Sequence, residues 1–163
     1  MRAIVSSAGL LTIGRGTFRA ALGWGGMRAD KHEGDGATPI GLLPLRKVLY
    51  RPDKLPAPAC AVPVQALTPE DGWCDDPSHP GYNRPVRLPI RASAETLWRQ
   101  DNVYDIIGIL GWNDAPVIPR RGSAIFLHIA RPDYAPTEGC VALSPSDLQR
   151  VLEIGLTEIV TLA

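Results

Sequence analysis

Apolar and polar positions alternate along the opening stretch of the chain. Segments 2–6, 10–14 and 17–23 are short and apolar or alternating, parted by Ala-Gly and Gly-Arg-Gly. A period of two broken by glycine predicts strands joined by tight turns. Residues 31–39 are polar and glycine-rich and read as a loop. Residues 42–50 resume strand character, with Pro44 confined to an edge or entry position. Two more apolar runs of strand length, 103–111 and 123–129, are split by a Trp-Asn-Asp-Ala-Pro turn; 140–143 reads as a brief strand and 158–162 as a last one.

Helical spacing is rare. Residues 144–155 show it clearly: Ser144 is an N-cap, Pro145 takes the first helical position, Leu148, Val151 and Leu152 share a face, and Gly155 is the stop. A second short helix is predicted over 93–100, with Ser93 as N-cap. Residues 51–92 carry no long periodic segment and read as an irregular insertion. A loop of that length inside a domain is functional or disordered, and its Trp and Tyr content argues against disorder. The sum is a single mostly-β domain over residues 1–163.

Composition narrows the function classes. A chain of 163 residues suffices for one domain with a proper core, and 45% hydrophobic with 21% charged residues excludes wholesale disorder. Seventeen basic residues balance seventeen acidic ones, which argues against nucleic-acid binding and polybasic membrane attachment. No apolar run approaches the length of a membrane span. No His or Cys spacing suits a metal, so neither metal nor cofactor is expected, and the chain is expected to be a monomer. Of the three cysteines, Cys60, Cys74 and Cys140, at most two can pair.

Chemistry concentrates near the C-terminus. His128 ends an apolar run, and Cys140 follows twelve positions later, directly behind Gly139 and ahead of Val-Ala-Leu. A thiol is nucleophilic as thiolate and needs a base or positive charge nearby. Two strand ends joined by a short loop can bring His128 to Cys140, and Gly139 permits a turn that a Cβ would obstruct. This suggests a Cys/His acyl-transfer site; from spacing alone, a buried structural cysteine and a satisfied histidine remain the alternative. Cysteine comes after histidine here, the reverse of papain-like peptidases.

Thr137-Glu138-Gly139-Cys140, with His128 before it, resembles the Ser-His-Gly-Cys signature of the L,D-transpeptidase (YkuD-type) catalytic domain. Far upstream, Thr38-Pro39-Ile40-Gly41 resembles the Thr-Pro-x-Gly segment of the same family, and the likeness spans roughly residues 3 to 155. The resemblance implies a β-sandwich with one or two short helices. It also implies a cysteine acyltransferase acting on diaminopimelate-containing stem peptides of peptidoglycan, hence the periplasm or cell envelope. The N-terminal segment shows no evident export signal, which leaves the cytoplasm as an alternative.

In that picture Cys140 is the nucleophile, His128 its base, and Gly139 shapes the turn, with backbone N–H groups around Gly139 and Cys140 as oxyanion hole. The start of the following helix is expected to favour the thiolate. The chain departs from the family at Ile129, where glycine is common, at Glu138, where a second histidine is frequent, and at Ala142, where an arginine for the substrate carboxylate is frequent. Arg131 and Arg84 are candidate replacements. Thr137, Tyr82, Asn83, Trp73 and Asp75 are candidate groove residues, and His32 reads as merely solvated. Water in place of an amine acceptor would make the protein an L,D-carboxypeptidase or endopeptidase; a wall-binding module with a retired site is the non-enzymatic alternative. Carbapenems acylate the family's cysteine.

Overall fold

A computed structural model describes all 163 residues. Strands β1 (Arg2–Ser6), β2 (Leu10–Ile13) and β3 (Gly16–Ala21) form an antiparallel meander, as the opening alternation predicts. A two-residue parallel pair, β4 (Met27–Arg28) and β5 (Thr38–Pro39), precedes the long β6 (Gly41–Tyr50) and the short β7 (Val64–Ala66). Next come β8 (Asp71–Cys74), β9 (Pro85–Arg87) and β10 (Ala94–Thr96), which pair among themselves. The chain ends with β11 (Ile106–Leu110), β12 (Phe126–Ile129), β13 (Val141–Leu143), helix α1 (Pro145–Glu153) and β14 (Glu158–Leu162).

The main sheet runs β11-β12-β13-β3-β2-β1-β14-β6-β7, and a further pairing of β11 with β6 closes it on itself. Strand β6 makes the closure by changing neighbours: Gly41–Pro44 pair with β14, and Leu45–Tyr50 with β11. Pro44 sits at that handover, where a missing N–H is tolerated. Closure removes most of the exposed strand edges that would otherwise template association.

Alternation assigns the two faces of the closed sheet. On β12, Leu127 and Ile129 enter a core cluster of 20 buried residues that includes Ala3, Val5, Leu11 and Ile159. Phe126 enters a second cluster of nine, with Trp73, Tyr104 and Cys140. Helix α1 belongs to the first: Leu148, Val151 and Leu152 are buried there. Its start follows the predicted signals, with the Asp147 N–H donating to Ser144 Oγ at 3.2 Å and Pro145 in the first turn. No helix is long and apolar enough to cross a membrane.

Two expectations change. Residues 93–100 are not helical: Ala94–Thr96 form β10, paired with β8, and the Leu97 N–H donates to Asp71 O at 3.1 Å. The Ser-Ala-Glu-Thr sequence carries a helix-start signal, but partners far away in sequence claimed its backbone. Residues 51–92 are also less irregular than expected, since β7, β8 and β9 lie within them.

Candidate active site

Cys140 stands just before β13, and the parallel register with β12 sets Leu127 against Val141 and His128 against Ala142. Side chains two apart share a face, so His128 and Cys140 look out on the same side of adjacent strands. Both border one cleft of about 550 Å³.

The turn holding Cys140 depends on glycine. Gly139 has φ +129°, and a Cβ there would lie 2.7 Å from Ala37 O. The Thr137 hydroxyl donates to Cys140 O at 2.7 Å and accepts from Gly139 N at 3.1 Å. Thr137 thus borders the cleft, with its hydroxyl committed to shaping the turn. The Thr-Pro-x-Gly segment buttresses this from behind: the Gly23 N–H donates to Thr38 Oγ1 at 2.9 Å. A Cβ on Gly23 would stand 3.0 Å from the Gly139 Cα. Two motifs about a hundred residues apart are thereby parts of one contact.

The Cys140 thiol donates to Ala124 O, and its sulfur accepts from the Phe126 N–H, both at 3.3 Å. Burial pushes its pKa up to about 12, with the Glu95 carboxylate adding to the rise and the Phe126 N–H opposing it. Burial lowers His128 to about 4. The resting pair is therefore neutral thiol and neutral imidazole. His128 Nδ1 lies 2.9 Å from Ile129 O. A carbonyl only accepts, so Nδ1 carries the proton and Nε2 is left as the free base. The Tyr104 ring meets the His128 ring edge-on at 5.4 Å and fixes its plane.

Charged groups of both signs border the cleft. Glu95 is raised to about 7 by burial and touches the Tyr104 hydroxyl. Asp75 lies beside it in the lining, and Lys31 is buried there in an ion pair with Asp35 at 2.7 Å. Arg99 is clamped on Asp101, which holds that carboxyl down at about 2. Arg131 is 55% exposed and 3.8 Å from Asp101. Lys31, Glu95 and Arg99 escaped the sequence reading because each sits in a turn-rich or misassigned segment, where charges look solvated; Tyr104 was hidden in an apolar run of strand length.

Of the predicted groove residues, Arg131, Thr137 and Asp75 border the cleft; Trp73, Tyr82, Asn83 and Arg84 do not. Asn83 is buried, its Oδ1 accepting from Trp73 Nε1 and the Ala124 N–H at 3.0 and 3.1 Å and its amide donating to Trp112 O and Asn113 O. Tyr82 donates to Glu33 and accepts from the Gly122 N–H. Asn83, tied to Trp73, supports the backbone at Ala124 that holds the thiol, and Tyr82 holds Gly122 two residues before it. Their polar atoms are committed to that network, and Trp73 and Asn83 border a second cavity rather than this cleft. Arg84 borders a separate cavity of about 350 Å³ with Arg46 and Trp112.

Two mechanistic expectations also change. Helix α1 packs in the core cluster that excludes Cys140, and the Asp147 N–H at its start is taken by the Ser144 cap. The Gly139 N–H is taken by Thr137, as given above. All three cysteines are free thiols, and Cys60 donates to Val62 O. His32 is exposed, as expected. No group of three or more His, Cys, Asp or Glu is arranged to hold a metal ion.

The model of the L,D-transpeptidase catalytic domain family (YkuD) matches residues 6–158. No curated protein matches significantly. Among solved structures, the chain is similar to L,D-transpeptidase 1 of Mycobacterium tuberculosis, with 16% identity and a TM-score of 0.43. It is also similar to an L,D-transpeptidase of Mycobacterium smegmatis, with 11% identity and a TM-score of 0.44. Both likenesses cover 99% of this chain and 58% of the other, so the chain spans less than two thirds of those proteins.

Proposed function

The chain belongs to the L,D-transpeptidase catalytic domain family, and from that premise we propose that it is a peptidoglycan L,D-transpeptidase with Cys140 as nucleophile. The observation that carries the reading is the shared cleft of Cys140 and His128, with the imidazole Nε2 left free as base. Cys140 Sγ attacks the carbonyl joining an L-centre of a stem peptide to its terminal D-residue, and His128 Nε2 takes the thiol proton. The C–N bond breaks, His128 returns the proton to the leaving amine, and a thioester remains on Cys140. An amine of a second stem peptide, or of a free D-amino acid, then attacks the thioester; the C–S bond breaks, and the amine's proton returns through His128 to Cys140 Sγ.

A neutral resting pair suits this order, since the proton moves as the carbonyl is attacked and no buried thiolate is stored. With the Gly139 N–H committed, the Cys140 N–H, which has no acceptor within the protein, is the backbone donor for the tetrahedral oxyanion. Ala142 is fully buried against His128, so Arg131 on the cleft rim takes the place of the family's arginine toward the substrate carboxylate. The proposed reaction on peptidoglycan favours the cell envelope as its location, with the cytoplasm as the alternative.

The test is mass spectrometry of wild type and Cys140→Ala after incubation with a carbapenem and with diaminopimelate-containing muropeptides. A Cys140-dependent adduct with a cross-linked dimer is expected. An adduct with only shortened peptides would make the protein an L,D-carboxypeptidase. Absence of both adduct and product would overturn the enzymatic reading.

A further inference from the structure

A second cavity, of about 350 Å³, opens where the small sheet meets the closed one, and it shares no lining residue with the catalytic cleft. Its floor is apolar: Leu49 of β6, Trp73 of β8 and Ile109 of β11, with Leu97 and Trp112 from the connections. The wall is fixed from behind. Trp73 Nε1 donates to Asn83 Oδ1 at 3.0 Å, the Trp73 ring meets Phe126 edge-on at 5.3 Å, and the Asn83 amide donates to Trp112 O at 2.9 Å. A preformed concavity with an apolar floor and a few polar groups at its rim is the ordinary form of a small-molecule site.

The charges at the rim decide what kind of molecule fits. Both acids there are already matched. Asp114 is clamped by Arg46 at 2.9 and 3.3 Å, and Asp71 accepts from the Thr68 N–H at 2.7 Å and lies 3.9 Å from Arg87. Two cations are not matched. Lys47 Nζ meets only the neutral Gln65 amide oxygen, at 3.2 Å. Arg84 gives its backbone oxygen to the Cys74 N–H, but its guanidinium has no carboxylate partner in the fold. An apolar floor under two unmatched cations is complementary to an apolar anion. We propose that this cavity is a ligand site, separate from the transpeptidase cleft, for a small molecule with a flat apolar body and one carboxylate. The body lies on the floor between the two indoles, Trp73 and Trp112, which favour a flat ring system. The carboxylate meets the Arg84 fork, which suits it bidentately, and Lys47 adds a point charge. The volume is at the small end for ligand sites, which sets the body at about two fused rings.

The probe is 2-naphthoate, with naphthalene-2-carboxamide as the same body without the charge and acetate as the charge without the body. Binding to the full chain is measured calorimetrically for wild type, Arg84→Ala, Lys47→Ala and Arg131→Ala. Naphthoate is expected to bind about tenfold more tightly than the carboxamide, the worth of one charge-assisted contact, and acetate should not bind measurably. Arg84→Ala should erase most of that preference and Lys47→Ala part of it, whereas Arg131→Ala, on the rim of the other cleft, should leave it intact. Arg84 and Lys47 are exposed, so their variants should keep the wild-type unfolding midpoint and report on binding rather than folding. Equal affinity for naphthoate and the carboxamide would overturn the site, as would binding by none of the probes. A preference kept in Arg84→Ala and lost in Arg131→Ala would place the probe in the catalytic cleft and overturn it as well. None of these readouts uses Cys140, so the transpeptidase reading stands or falls separately.

Discussion

At Glu95 and His128, burial works on opposite charges. Glu95 is raised from 4.5 to about 7, so its buried protonated form is favoured in the fold. Stability from this group is fully present below pH 4.5 and is lost as pH rises through about 7. His128 is lowered from 6.5 to about 4, so its contribution is present above pH 6.5 and is lost as pH falls through about 4. The two slopes oppose each other across the acid range. Denaturant unfolding between pH 4 and 8 should therefore show Glu95→Gln gaining on wild type as pH rises, by on the order of 2–3 kcal/mol. His128→Asn should gain on wild type as pH falls. Parallel pH profiles for wild type and Glu95→Gln would mean that the carboxyl is hydrated in the fold. The two arginines separate in the same manner: Arg131→Ala should raise KM for a carboxylate-bearing stem peptide about tenfold, the loss of one charge-assisted contact, while Arg84→Ala should leave steady-state kinetics unaltered because it borders another cavity.

Helix α1 and the small β8–β9–β10 sheet were unequally legible in the sequence for physical reasons. Helix α1 carries its own instructions, a Ser144 cap, Pro145 at the start and an apolar face every three to four residues, so local physics and tertiary packing agree. Its cap should contribute to stability alone. Ser144→Ala is expected to cost about 1 kcal/mol, seen as a lowered unfolding midpoint, with the carbapenem acylation rate unchanged because α1 packs away from Cys140. A slowed acylation would instead tie the helix to the site. The small sheet has no comparable local signature. Strands of three or four residues are too short for a period of two to register, and the serine just before β10, Ser93, mimics a helix cap. Glu95 gains its place in the cleft from that sheet and went unread, whereas Asp75 was legible as a groove residue and His128 and Cys140 stood out beside their apolar runs. Asn83 and Tyr82 looked like groove residues because polar and aromatic side chains in a loop suggest binding, whereas their hydrogen bonds point inward.

Across the whole molecule, the site is assembled by contacts between segments remote in sequence, and Thr38 is the plainest single link among them. It is fully buried, and its Oγ1 accepts from Gly23 N; Gly23 in turn packs on Gly36, Thr38 and the Gly139 Cα. Thr38→Val keeps the shape and removes the acceptor, leaving a buried N–H unpaired, a loss of about 1–3 kcal/mol. The strain should fall on the segment that presses on Gly139, so Cys140 should be acylated by a carbapenem several-fold more slowly. Amide exchange in β1 should remain close to wild type, because its ladder partners are β2 and β14 rather than that segment. Acylation at the wild-type rate in a destabilised Thr38→Val protein would show that the upstream motif serves folding alone. Slow acylation with β1 still protected would show that it holds the nucleophile in place.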